Sequence, residues 1–96
     1  MTHYYGIELI EGVLRLCNIY EMNDYVTPDS IARCETSKIK GGYCVYIYIK
    51  GIESPQFCFP NLGDDENGKT FAKNITEIIF YSLKKTTPKA NNPVIN

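Results

Sequence analysis

The residues best able to do chemistry lie together at Gly63-Asp-Asp-Glu-Asn-Gly68-Lys69-Thr70, which satisfies every fixed position of the phosphate-binding pattern G-x-x-x-x-G-K-[ST]. The segment falls between a predicted strand and a predicted helix, the context such a loop requires. Its variable positions include Asp64, Asp65 and Glu66, three carboxylates set beside the place where phosphates would lie. Close like charges cost more than one lysine offsets. Elsewhere the reactive residue types are scattered. His3 is the only histidine and sits at a chain end, a poor place to hold an acid or base in position. Cys17, Cys34, Cys44 and Cys58 are widely separated, with no Cys-x-x-Cys pair and no Cys/His cluster, so they read as small apolar core residues rather than zinc ligands. No catalytic residue, cofactor or metal is expected.

The 63–70 segment resembles the Walker A loop of the P-loop nucleotide hydrolases. The resemblance implies that the loop amides and Lys69 hold phosphates and that the Thr70 hydroxyl holds magnesium. That family also needs a parallel sheet and a second strand carrying a magnesium-binding aspartate. Residues 71–96 read instead as one helix and a tail, and the resemblance extends to no other part of the chain. The competing reading, which the sequence favours, is an acidic loop that caps the last helix.

The elements around this loop follow from hydrophobic periodicity. At about 100° per residue, Leu9, Ile10, Val13, Leu16, Cys17 and Tyr20 share one helical face, opposite Glu8, Glu11, Arg15 and Asn18. Glu11 stands four residues before Arg15, the favourable order for an ion pair on a helix. The pattern predicts an N-terminal helix ending near Asn23-Asp24; the rival reading turns Glu11-Gly12 into a hairpin, although such turns prefer Asn-Gly or Asp-Gly. Thr27-Pro28-Asp29 can start a short helix. Residues 30–40 either continue that helix or form a strand; the strand is favoured, because Gly41-Gly42 then supplies a turn before the next one. Tyr43–Lys50 alternates cleanly, with Tyr43, Val45, Ile47 and Ile49 on one face and Cys44, Tyr46, Tyr48 and Lys50 on the other. Gln56–Phe59 is a short return strand whose brevity and flanking prolines suggest an edge. Thr70–Lys85 is the clearest helix, with Phe71, Ile75, Ile78, Ile79 and Ser82 as its buried stripe, and acidic and basic residues at the ends its dipole favours. The expected fold class is α+β: an N-terminal helix, a small antiparallel sheet of two to three strands, and a C-terminal helix, with the helices packed on the Tyr43/Val45/Ile47/Ile49 face. Residues 1–85 are read as a single domain and 86–96 as a flexible tail.

The 96 residues are 44% apolar and 22% charged, as in an ordinary globular chain, with a formal net charge of -1. That balance disfavours nucleic acid and acidic membranes, whose binders usually carry a basic excess. No stretch approaches the ~20 apolar residues of a membrane span. The N-terminus lacks the basic and small-residue features of a secretory signal, so the expected location is the cytosol of the cell that makes it, the host's if it is phage-encoded.

Activity is therefore expected at the outer surface. Tyr46, Tyr48 and Lys50 form a tyrosine-rich strand face that two helices on the other side would leave open. Phe80 points about 180° away from Phe71, among Lys73, Thr76, Glu77 and Lys84, where a large apolar residue suits an interface. The reading is a non-catalytic protein-binding module of the kind that phages and mobile elements use to inhibit host complexes, anti-CRISPR proteins among them. The alternatives are nucleotide binding by the 63–70 loop and single-stranded nucleic acid stacking on the tyrosine face, with Phe57 and Phe59 on the companion strand. A homodimer, through Phe80 or an exposed strand edge, stays open.

Overall fold

The computed structural model describes residues 2–18, 20, 22–60, 62–63 and 65–86, and Asp64 and the tail expected at 86–96, Thr86 excepted, lie outside them. In chain order the elements are β1 (Thr2–His3), β2 (Gly6–Ile10), β3 (Val13–Cys17), β4 (Asp24–Val26), a 3-10 turn (Pro28–Ser30), β5 (Ile31–Ile39), β6 (Gly42–Ile49), β7 (Phe57–Phe59) and α1 (Glu66–Thr86). Four strands form one sheet in the order β1-β7-β6-β5, and three form a second in the order β2-β3-β4. Among the described residues no helix is long and apolar enough to cross a membrane.

Among the described residues the expected N-terminal helix is absent; residues 6–17 form the β2–β3 hairpin. Glu11 and Gly12 take φ 50° and 83°, the left-handed pair that a two-residue hairpin turn requires. The turn pairs Leu9 with Leu14 and Ile7 with Leu16, so alternate residues bury Leu14 and Leu16 completely. Arg15 finds its carboxylate across the strands at Glu8 rather than one helical turn away at Glu11. Spacings of three and four residues satisfy a helix, but they also arise when two alternating runs are joined by two polar residues. Only the tertiary partner, Val26 of β4 opposite Leu14, separates the two.

Residues 2–10 link the sheets. The Tyr4 amide donates to the Cys58 carbonyl on β7 (2.8 Å) and the Tyr5 amide to the Cys17 carbonyl on β3 (3.0 Å). One extended run thus changes partner at that dipeptide. β7 was expected at an edge; instead it lies between β1, which it pairs in parallel, and β6, which it pairs antiparallel. Its brevity comes from Pro60, which cannot donate to a ladder, and not from exposure.

Among the described residues one α-helix, not two, covers the Val45/Ile47 side of the larger sheet. Val45, Ile47 and Phe59 of the larger sheet, Leu14 and Leu16 of the smaller, and Ile79 of α1 are all fully buried. Each such side chain contributes about 1.5–3 kcal/mol of transfer free energy. On α1 the inward stripe is Gly68, Ala72, Ile75, Ile79 and Ser82. Phe71, expected inside, is 59% exposed, because the stripe is rotated toward Ala72. The helix also begins at Glu66, four residues earlier than the periodicity suggested.

Candidate protein-binding surfaces

The phosphate-loop-like segment starts the helix. Asp65 precedes its first residue, and its Oδ1 accepts from the amides of Asn67 (3.0 Å) and Gly68 (3.2 Å), the donors an N-cap satisfies. A phosphate seated there would need those same amides, so Asp65 holds the anion's place. Gly68 is required by packing: a β-carbon on it would run into the backbone carbonyls of Leu62 and Gly63. The Gly63 carbonyl in turn accepts from the Tyr43 amide (3.0 Å), and Tyr43 returns a carbonyl to the Leu62 amide (3.0 Å). Both glycines thus serve the junction of β6 with the helix. Lys69 and Thr70 lie exposed on the first turn.

The tyrosine face lies where alternation put it. Across four strands, His3, Cys58, Tyr46 and Glu35 stand in register on the side away from α1. Tyr48 stands beside Arg33, whose guanidinium stacks on its ring at 3.8 Å while Nε donates to Glu35 at 2.7 Å. That bond holds the Glu35 carboxyl below the usual carboxylate range. Tyr46 and Tyr48 are half-buried. The Tyr46 hydroxyl is pushed up to about 12, first by its hydrogen bond with the Cys44 thiol and then by the charges of Cys44 and Cys58. Cys44 and Cys58 are buried beneath this face, and burial pushes the Cys58 thiol up, which makes it a poor nucleophile. Lys50 is exposed in the turn that follows β6. Phe57 and Phe59 point to the opposite, helix side, in register with Ile47 and Val45, so the base-stacking platform lacks both companion aromatics.

Phe80 is 52% exposed on α1, across the molecule from the tyrosine face, so the structure does not bring these expected contact residues together. Sequence reasoning missed a different surface. Between β2 and α1 runs a groove whose two halves share Ile7, Asn74 and Ile78. One half, about 400 Å3, adds Tyr5, Leu62, Phe71 and Ile75; the other adds Leu9, Glu77 and Tyr81. Tyr5 (60%), Phe71 (59%) and Tyr81 (53%) stand exposed around it. β2 is an edge strand here. Because Ile10 and Val13 flank a two-residue turn, they form a hydrogen-bonded pair, and alternation aims the amides of Ile7 and Leu9 away from β3. A stripe at Phe71, Asn74, Ile78 and Tyr81 was the available signal: it flanks the core stripe at helical spacing.

No family model matches the chain, and comparison with curated proteins and with solved structures found no match. The reading of function rests on these surfaces alone.

Proposed function

We propose that the protein is a protein-binding module without catalysis, which works by occupying a partner's surface through the β2–α1 groove. The observation that carries this reading is the exposure of three aromatic rings, Tyr5, Phe71 and Tyr81, around an apolar floor beside an unpaired strand edge. Aromatic residues give large contact area for little lost rotamer freedom, and an isolated domain gains nothing by leaving them in water. The strand edge selects an extended segment, whose main chain pairs with the Ile7 and Leu9 amides while its side chains enter the groove. Glu77, at the far end of the groove, favours a basic residue in that segment.

A second reading places the contact on the strand face of Tyr46, Tyr48 and Lys50, and it is favoured by the helix covering only the other side of that sheet. One experiment separates the two. A photo-crosslinking residue is placed at 71 in one variant and at 46 in another, and the captured chain is identified by mass spectrometry. The purified partner is then titrated against Phe71→Ala/Tyr81→Ala and against Tyr46→Ala/Tyr48→Ala. The groove pair is expected to weaken binding at least about tenfold, the loss of one good anchor. Binding that survives the groove pair and fails with the strand-face pair transfers the function to the tyrosine face.

A further inference from the structure

We infer that β5 is a self-pairing edge, through which two copies of the chain join their larger sheets antiparallel about a twofold axis at Cys34. This surface is separate from the groove and does not depend on it. β5 is nine residues long and, among the described residues, has β6 as its only strand partner. Ile39 and Gly42 flank the two-residue turn Lys40-Gly41, so they form a hydrogen-bonded pair, and the same holds for Ser37, Glu35 and Arg33 with their partners on β6. The N–H and C=O groups of Cys34, Thr36 and Lys38 therefore point to the open edge. Long edges of this kind template further pairing unless charge prevents it.

Here charge selects one register. Pairing centred on Arg33 sets Arg33 against Arg33 of the second copy, and pairing centred on Glu35 sets like carboxylates together. Centring on Thr36 joins no charged pair. Centring on Cys34 places Arg33 opposite Glu35 of the second copy and Glu35 opposite its Arg33, both at non-hydrogen-bonded positions where side chains lie closest. Arg33 stacks on Tyr48 and donates Nε to its own Glu35, which holds its guanidinium on the tyrosine face of the edge strand. The axis is perpendicular to the sheet, so both helices stay on one side and the two tyrosine faces merge on the other.

The full chain is examined by sedimentation equilibrium up to about 1 mM, the weak limit of specific association. A dimer is expected. Arg33→Glu or Glu35→Arg alone is expected to raise the dissociation constant at least about tenfold, while an equimolar mixture of the two variants re-forms a dimer, because both opposed pairs are again of opposite sign. Mild oxidation is expected to cross-link wild type and not Cys34→Ser, since directly opposed strand residues sit about 5.5 Å apart, within disulfide range. A monomer at every concentration overturns the proposal. So does a dimer indifferent to both charge reversals, or a cross-link that persists without Cys34.

Discussion

Gly63 and Gly68 meet backbone to backbone: the Gly63 carbonyl lies where a side chain on residue 68 would have to start. The first turn of α1 can approach the Leu62-Gly63 backbone, beside the start of β6, only because residue 68 lacks a β-carbon, whereas Gly63 is favoured by its φ of 93°. Gly68→Ala is accordingly expected to cost about 3 kcal/mol or more, at or above the top of the usual overpacking range, in chemical denaturation. Lys69→Ala, at an exposed position, should stay within about 0.5 kcal/mol. Magnesium with ATP or GTP should produce equal, negligible heats with wild type and Lys69→Ala; a heat that the lysine controls would restore the nucleotide reading.

Asp65 caps the same turn through the Asn67 and Gly68 amides. Asp65→Ala should destabilise by about 1 kcal/mol, while Asp65→Asn, an equally good cap, should keep most of that. Denaturation midpoints of the two variants, compared at neutral pH, check this.

Tyr4 donates its hydroxyl to Asp24 and is itself buried. Burial first, then that bond and the Asp24 charge, push its hydroxyl up to about 12 from 10. A group whose pKa is raised by folding adds stability that is complete below its unfolded value and is lost as pH climbs through its folded one. Stability should therefore decline between about pH 10 and pH 12. Tyr4→Phe should lose about 1 kcal/mol at neutral pH and show a shallower alkaline decline. Urea titrations across that window give both quantities.

Glu11 holds a positive φ that its side chain disfavours. Glu11→Asn suits the first position of the β2–β3 turn and should raise stability by about 0.5–1 kcal/mol. A thermal melt reads the gain. If residues 9–20 were helical, the same change would destabilise.

Phe59 and Phe71 are both aromatic, yet one is fully buried and the other is mostly exposed. Phe59→Ala should cost about 3–5 kcal/mol and Phe71→Ala less than about 1 kcal/mol. A large loss at Phe71 would mean that the helix stripe is rotated toward the groove.

The strongly alternating strand Tyr43–Lys50 and the helix after the acidic loop were legible because each is long enough for its period to dominate, and each has chemistry at its ends that agrees with it. The cap role of the acidic loop was legible for the same reason. The 9–20 region was not, since Leu9, Ile10, Val13, Leu16 and Cys17 satisfy a helical face as well as two strands, and the Glu11-Gly12 turn lacks the usual asparagine. The groove was invisible because it needs β2 and α1, some sixty residues apart in the chain, to lie side by side; Phe71 and Ile78 look like core positions until the rotation of the helix is known.

What the residues determined alone is local: an alternating strand with tyrosines on one face and β-branched residues on the other, a helix capped by its own aspartate, and a composition without basic excess. Tertiary structure decided everything that depends on partners. It made β7 a central strand, turned an apparent helix into a hairpin, and left Tyr5, Phe71 and Tyr81 in water. Periodicity reports which side chains share a face, whereas burial depends on what that face meets, and the partner is supplied by distant chain.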